Sequence, residues 1–208
     1  MLKEKLNKFH IILASKSPRR QFLLKELGLD FEVRTKDTDE SFPKKLKGKQ
    51  IALYLSKKKA EAFKGELKPN DLLITADTIV WINNKVLNKP ADYKEAVKML
   101  KILSGKMHLV YTGVCIGCYS PLQGGGSRPA GPGDVKFKTF VSETKVFFKK
   151  LTSAEIDFYV TNYKPYDKAG AYGAQEWIGY VGVEKIIGSY FNVMGLPVKE
   201  LYEELMKL

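Results

Sequence analysis

The hydrophobic residues of the chain follow two kinds of pattern. Short, nearly continuous apolar runs bounded by turn-forming residues indicate buried strands, and apolar residues that recur at helical spacing indicate helices. Strands are predicted at residues 11–14, 31–34, 71–82, 107–118 and 134–149, with short strands within 177–187. Helices are predicted at residues 17–28, 50–63, 92–105 and 152–161, and after Pro197. Strands that alternate with helices predict an α/β protein.

The junction between the first strand and the first long helix is a candidate anion site. Ser17 and Pro18 form a helix start, with an N-cap residue followed by proline at the first helical position. Arg19 and Arg20 then place positive charge at the positive end of the helix dipole, where acidic residues are preferred. Free backbone N–H groups and guanidinium groups at one helix start favour a phosphate ligand. The alternative is that both arginines are solvated surface residues.

Asp77 is the charged exception inside the most apolar strand, Asp71–Ile82. A buried carboxylate needs a charged or metal partner to offset its desolvation, so Asp77 is the best single candidate for a catalytic group. Thr78 follows it, and successive residues of a regular strand face opposite sides. If both serve one site, the strand must end or bulge at this point. The alternative is a structural ion pair between Asp77 and a lysine or arginine.

Further charged positions could complete a site for a phosphate or a metal. Asp37, Asp39 and Glu40 form an acidic cluster that could hold a divalent cation, or else a solvated turn. Lys59 continues the apolar stripe of its helix, so it either lies at the edge of that stripe or meets an anion in a cleft. Lys89 lies in a connecting loop, where functional residues are common.

Two glycine-rich segments have no regular period. Residues 163–175 could let backbone approach a base or a phosphate, with Gln175 offering donors and an acceptor to a base edge; a plain turn fits equally well. Residues 119–133 are rich in Gly and Pro but lack the Gly-Lys-Ser/Thr sequence and the strand–loop–helix setting of a P-loop. We expect this second segment to be a mobile surface loop.

Composition and charge restrict the class of protein. A chain of 208 residues with 44% hydrophobic content can form one large domain or two packed lobes. The net charge of +12 suggests an anionic partner without identifying it. Cys115 and Cys118 are the only cysteines, and their spacing sends them to opposite faces of a strand, so ordinary thiols are expected. The N-terminal apolar patch is too short for a signal peptide and no run approaches the ~18 apolar residues of a membrane span, so a cytoplasmic protein is expected.

Several motifs occur in a fixed order along the chain. They are A-S-K-S-P-R-R at 14–20, A-D-T at 76–78, K-P at 89–90, D-K-A-G-A-Y-G-A-Q at 167–175 and G-S-Y-F-N-V-M-G-L-P at 188–197. Together they closely resemble the Maf family of nucleoside triphosphate pyrophosphatases, over nearly the whole chain. The resemblance implies a single domain at residues 1–208 with an α/β fold, in which a mixed, twisted sheet and flanking helices form two lobes around a cleft, similar to inosine triphosphate pyrophosphatases. It also implies hydrolysis of a nucleoside triphosphate to the monophosphate and pyrophosphate, with a divalent cation, Mg²⁺ or Mn²⁺.

The same resemblance implies roles for individual residues. Asp77 would accept the proton of the attacking water, and Glu40 and Asp77 would hold the metal. Arg19, Thr78 and Gln175 would tune the choice of substrate. The groups that bind substrate phosphates would include Ser15, Arg19, Arg20, Lys59 and Lys89.

The branch of the family and the partners follow from the same motifs. S-P-R-R, A-D-T and A-G-A-Y-G-x-Q resemble the branch that acts on dTTP and UTP, whereas the branch acting on 7-methyl-GTP typically has Trp in place of Arg19 and S-D-Q at 76–78. The segment 119–133 looks longer than the family needs. An alternative from another class is a nucleotide- or nucleic-acid-binding module without catalysis, which the positive charge favours, but Glu40 and Asp77 would oppose it unless metal were present. A nucleoside triphosphate is therefore the expected partner, with no membrane and no stable nucleic-acid partner; a homodimer stays open.

Overall fold

The structure, a computed structural model, describes residues 1–119 and 135–208. Its strands are β1 His10–Leu13, β2 Glu32–Val33, β3 Asp71–Ile82, β4 Lys85–Leu87, β5 Met107–Tyr119, β6 Val135–Phe148 and β7 Val183–Ile187. Its α-helices are α1 Leu2–Lys5, α2 Pro18–Glu26, α3 Lys49–Glu61, α4 Tyr93–Leu103, α5 Ser153–Tyr163, α6 Trp177–Gly182, α7 Tyr190–Met194 and α8 Val198–Leu205, and a 3-10 turn spans Ala169–Ala171. The segment predicted to be a mobile loop, 119–133, lies from residue 120 onward outside the described residues.

One mixed sheet of seven strands organises the described part of the chain. Its order is β2-β1-β3-β5-β6-β7, and β4 pairs with β3. β1 is parallel to both of its neighbours, and the remaining pairs are antiparallel. The predicted α/β fold with a mixed sheet and flanking helices is therefore confirmed, whereas the division into two lobes stays a prediction. No helix within the described ranges is long and apolar enough to cross a bilayer.

Helices pack on both faces of β3, which explains why this strand is apolar at almost every position. Leu73 and Ile79 pack on the face that α3 covers. Leu72 and Ile74 lie on the other face, in a cluster with residues of α2 and α8. A strand that is buried on both sides shows a continuous apolar run instead of alternation. Asp77 belongs to the α3 face and Thr78 to the α2 face.

Gly113 allows α3 to lie close to the sheet beside Asp77. It is the residue of β5 directly opposite Asp77, and a Cβ atom at this position would lie 2.3 Å from the Ala52 carbonyl oxygen of α3. Gly113→Ala is expected to destabilise the protein by about 2 kcal/mol, because a backbone atom must move to make room. Thermal unfolding tests this against Gly65→Ala, whose Cβ would meet nothing within 4 Å. Equal stability of the two variants would contradict the close approach.

Buried His108 predicts an acid-sensitive fold. Its Nε2 lies 2.8 Å from the Tyr172 hydroxyl, and burial lowers the pKa of His108 from 6.5 to about 4. Between these values the unfolded chain takes up a proton that the folded protein excludes, so stability is lost as the pH falls from about 6.5 to about 4, by about 3 kcal/mol. Unfolding free energies measured across this range should show a shallower slope for His108→Asn than for the wild type. A slope unchanged by this substitution would contradict the role of buried His108.

Most helix starts and ends agree with the sequence patterns, and one region does not. Thr152 and Glu155 form a capping box at the start of α5, and Asp92 accepts from the Glu95 N–H at the start of α4. The prediction of short strands within residues 177–187 is confirmed for β7 and wrong for residues 177–182, which form α6. Gly179 explains the difference, because a Cβ atom there would overlap the Ala174 carbonyl oxygen at 1.9 Å, so glycine lets the chain close a tight helical turn. Helix α7 was not predicted.

Both cysteines are free thiols, as predicted. Cys115 packs with the cluster on the α3 face and Cys118 with the cluster on the opposite face. Burial raises the pKa of Cys115 to about 12, so this thiol stays protonated at neutral pH.

Candidate active site

A gap in the sheet edge creates the main cavity of the described structure. β1 pairs with β3 up to Leu13 opposite Ile74, and β4 begins to pair with β3 only at Val80 opposite Leu87. Residues 75–79 of β3 therefore have a neighbouring strand, β5, on one side only. A cavity of about 700 Å³ opens at this edge, lined by residues 14–20, 76–80, 88–89, 167–169 and 193–195, with Glu40, Lys59, Tyr172, Gly173 and Gln175 among others.

Asp77 and Thr78 both border this cavity although they lie on opposite faces of the sheet. β3 keeps a regular register with β5 from Leu72 to Trp81, so the expectation that a shared site requires a bulge or strand end is wrong. The neighbouring strands, and not β3 itself, are interrupted. At an open edge, side chains of both faces can reach the same space.

Lys59 connects the carboxylates of Asp77 and Glu40. Its ammonium group donates to Asp77 Oδ1 and to Glu40 Oε1, the latter at 3.0 Å. The Asp77 and Lys59 side chains are only 10% and 18% exposed, so their charges interact in a poorly solvated setting. Of the alternatives for Lys59, an anion in a cleft is the one found. α3 places it there because its apolar stripe faces the sheet.

Asp37 and Glu40 of the acidic cluster both line the cavity, and Glu40 is the one that contacts Lys59 and Lys89. Lys89 lies 3.5 Å from the Oε1 atom that Lys59 contacts. Burial alone would raise the pKa of Glu40, but Lys59 and Lys89 outweigh it and lower that pKa. Asp37 instead pairs with Lys16, and Asp39 with Lys58 and Ser41, at exposed positions.

Arg20 is fixed by three acceptors from separate parts of the chain. It donates to Gly195 O at 2.8 Å, to Thr78 Oγ1 at 3.0 Å and to Ser15 Oγ at 3.4 Å. Burial lowers its pKa, and the negative charges of Asp77 and Glu40 oppose that shift. Arg20 is therefore not a solvated surface residue. Thr78, which also lines the cavity, is hydrogen-bonded to it.

Arg19 reaches across to the opposite wall of the cavity. Its Nη1 donates to Asp167 Oδ2 at 3.1 Å, and its side chain is 24% exposed. Burial alone would raise the pKa of Asp167, but Lys168 and Arg19 outweigh it and lower that pKa. Within the described residues Arg19 thus pairs with a protein carboxylate, and the phosphate site at the start of α2 stays a prediction.

Gln175 lies on the same wall as Asp167. The backbone carbonyl of Gln175 accepts from the Tyr180 hydroxyl at 2.9 Å, and the side-chain amide of Gln175 packs over Gly173. The sequence pattern gave no role to Asp167, Lys168 or Glu176. The signal that could have indicated them is the presence of charged residues on either side of the Gly- and Ala-rich residues 169–174.

The donor set at the cavity centre fits a divalent cation. Glu40 and Asp77 converge on one ammonium group, so two carboxylates already surround a single positive charge. Mg²⁺ is usually held by one or two carboxylates together with substrate phosphates and water. Residues 1–119 and 135–208 contain no cluster of three or more His, Cys, Asp or Glu that could hold a metal ion.

Comparisons with known proteins agree with the motifs. A sequence profile described as Maf-like protein matches residues 10–208. A protein of Bacteroides thetaiotaomicron is 50% identical over 204 residues, 98% of each chain, and one of Flavobacterium johnsoniae is 49% identical over 208 residues, 100% of each chain. Both relatives are named dTTP/UTP pyrophosphatase. A solved nucleoside-triphosphatase, a dITP/XTP pyrophosphatase of Mycobacterium abscessus, is 11% identical and covers 70% of this chain and 76% of its own, with a TM-score of 0.36, which is too low to support an argument.

Proposed function

The chain belongs to the Maf-like protein family, and from this we propose that it is an enzyme that hydrolyses dTTP and UTP to the nucleoside monophosphate and pyrophosphate. The full-length relatives that carry this activity in their names support the substrate class. The observation that carries the proposal is the contact of Lys59 with both Asp77 and Glu40, in the cavity that Arg19 and Arg20 also line. A proton acceptor and a group of cations thus share one space.

Asp77 is the proposed proton acceptor. Hydrolysis joins a water oxygen to the α-phosphorus and breaks the bond between that phosphorus and the oxygen bridging to the β-phosphorus. The bonding pair leaves with pyrophosphate, and the water proton passes to the Asp77 carboxylate. Such a base must be ionised and within hydrogen-bonding reach of the water. Lys59 occupies Asp77 Oδ1 in this structure, which leaves Oδ2 for the water.

The surrounding cations divide into fixed and adaptable groups. Arg20 already donates from Nε, Nη1 and Nη2 to protein acceptors, so it supplies a positive charge at a constant position. Within residues 1–119 and 135–208, the partners of Arg19, Lys59 and Lys89 are side-chain carboxylates, which these groups can exchange for phosphate oxygens. Stabilising the negative charge that develops on the leaving group is the main requirement of phosphoryl transfer. We also place Ser15, which contacts Arg20, among the phosphate-binding groups.

A divalent cation, Mg²⁺ or Mn²⁺, is part of the proposal, with Glu40 and Asp77 as its protein ligands. When bound, it would neutralise charge on the triphosphate. Lys59 would then release at least one of its carboxylate contacts and be free to bind phosphate. Base selection is proposed for Arg19 and Gln175, with Thr78 acting through its hydrogen bond to Arg20. A cytoplasmic location and a homodimer stay predictions.

An assay of purified protein with a panel of nucleotides tests this function. UTP, dTTP, CTP, ATP, GTP and 7-methyl-GTP are each incubated with Mg²⁺ or Mn²⁺, and the products are separated and quantified. We expect monophosphate and pyrophosphate in equal amounts from UTP and dTTP, and much slower release from the others. Orthophosphate with a nucleoside diphosphate would show that the wrong bond is assigned, and metal-dependent binding without products would favour a non-catalytic nucleotide-binding module.

A further inference from the structure

A chain of buried polar contacts extends from the core to the wall that holds Gln175. Tyr159 of α5 is 0% exposed, and its hydroxyl donates to Glu176 Oε2. The same hydroxyl oxygen accepts the backbone N–H of Gly173 at 3.0 Å. The second carboxylate oxygen of Glu176, Oε1, lies 3.0 Å from the ammonium of Lys168, which is 8% exposed. Glu176 thus has a partner for each oxygen, both of them buried.

The contacts continue across the cavity to Arg19. Lys168 also lies 2.7 Å from Asp167 Oδ1, and the other oxygen of Asp167 binds Arg19 Nη1 at 3.1 Å. A buried ammonium requires compensating negative charge, which Glu176 and Asp167 provide from either side. Without Glu176, Lys168 would have to pair with Asp167 alone, and the contact between Asp167 and Arg19 would weaken.

The Glu176 and Gln175 side chains lie over the same glycine. A Cβ atom on Gly173 would lie 2.9 Å from Glu176 Oε2 and 3.1 Å from Gln175 Nε2, so both side chains fold over this glycine. The Tyr159 hydroxyl accepts the Gly173 N–H and donates to Glu176. The backbone next to Gln175 is therefore hydrogen-bonded to a buried residue that also binds Glu176. One carboxylate therefore connects the supports of Arg19 and Gln175.

We propose that Glu176 is a positioning residue for base recognition, because its contacts keep the Arg19 and Gln175 side chains at fixed positions in the cavity. This proposal rests on the proposed function for the identity of the base. Its physical basis is the series of ion pairs from Glu176 through Lys168 and Asp167 to Arg19. Glu176 touches neither Asp77 nor Lys59 in the described structure, and it reaches the proposed phosphate-binding groups only indirectly, through Lys168, Asp167 and Arg19. Its loss should therefore affect the choice and binding of substrate more than the chemical step.

Steady-state pyrophosphate release from UTP and CTP tests this, with Glu176→Gln compared with the wild type. The amide keeps the shape but removes the charge that Lys168 needs. We expect KM for UTP to rise about 10-fold and the UTP-over-CTP ratio of kcat/KM to fall by a similar factor, while kcat at saturation changes less than about 3-fold. The matched control is Glu184→Gln, an exposed glutamate of β7 that should change neither quantity.

Tyr159→Phe provides a second variant in case Glu176→Gln does not fold. It removes the support of Gly173 and one partner of Glu176 but keeps Lys168 paired, so a smaller shift in the same direction is expected. A fall in kcat at unchanged KM, or an unchanged UTP-over-CTP ratio in both folded variants, would overturn the positioning role. If the wild type itself releases no pyrophosphate, the proposed function fails separately. Calorimetric affinities for α,β-methylene-UTP, which cannot be cleaved at the α–β position, would then decide whether Glu176→Gln weakens nucleotide binding, and equal affinities would contradict the inference.

Discussion

Asp77→Asn is expected to reduce kcat for UTP hydrolysis by about 10³-fold or more and to leave the fold intact, because general-base catalysis typically contributes 10²- to 10⁴-fold. Asparagine occupies nearly the same volume, and its amide oxygen can still accept from Lys59, so the cavity should keep its shape. It cannot take a proton from water. Steady-state kinetics, with circular dichroism as the check on folding, measures both parts of the prediction.

Asp71→Asn is the matched control for this variant. Asp71 lies on the same strand and is also buried, but its carboxylate binds His10 and the Lys68 N–H at the other end of β3. We expect Asp71→Asn to lower the unfolding temperature and to keep kcat near the wild-type value. A fully active Asp77→Asn enzyme would remove Asp77 from the role of proton acceptor. Similar losses of kcat in both variants would attribute the effect to the strand and not to the cavity.

Lys59→Met is expected to lower kcat/KM about 100-fold and to destabilise the protein by about 3 kcal/mol, since removal of one partner leaves a poorly solvated charge unpaired. Methionine preserves the packing of the helix stripe, whereas the carboxylates of Asp77 and Glu40 lose the cation that now lies between them. Kinetics and urea unfolding of the same preparation measure the two effects.

Lys58, the residue before Lys59, offers the control for the Lys59→Met prediction. Lys58 points away from the cavity and pairs with Asp39, whose side chain is 69% exposed. Lys58→Met should change stability by less than about 1 kcal/mol, as is usual for exposed ion pairs, and should leave kcat/KM unchanged. Equal effects of the two substitutions would mean that the loss of any lysine on α3 is harmful and that the contact with Asp77 has no special role.

The residues of the candidate site were more predictable than their contacts. Asp77 stands out because a carboxylate interrupts an apolar run, and Lys59 because a lysine continues an apolar stripe; both signals follow from the cost of burying charge. Their pairing depends on the register of β3 against β5 and on the close approach of α3 at Gly113, which involve residues far apart in the sequence. Local patterns do not carry this information.

The two clearest differences between the sequence-based predictions and the structure also have a physical explanation. A site shared by Asp77 and Thr78 is expected from the sequence to require a bulge or a strand end, because adjacent residues of a strand face opposite sides, but the sequence does not show where β1 and β4 stop pairing with β3. Residues 177–182 contain aromatic and β-branched residues that favour a strand, yet Gly179 permits a tight helical turn over Ala174. In both cases tertiary contacts decide a local choice. The network around Glu176 likewise joins residues that no helical or strand periodicity in the sequence relates to one another.

Hydrolysis of UTP in ¹⁸O-labelled water is the measurement that tests the central claim most directly, because it shows which phosphorus receives the oxygen that Asp77 activates. Mass spectrometry of the products should find the label in the phosphate of UMP and none in pyrophosphate. Label in pyrophosphate instead would mean that water attacks the β-phosphorus, and the arrangement of Asp77 opposite a leaving pyrophosphate would be contradicted.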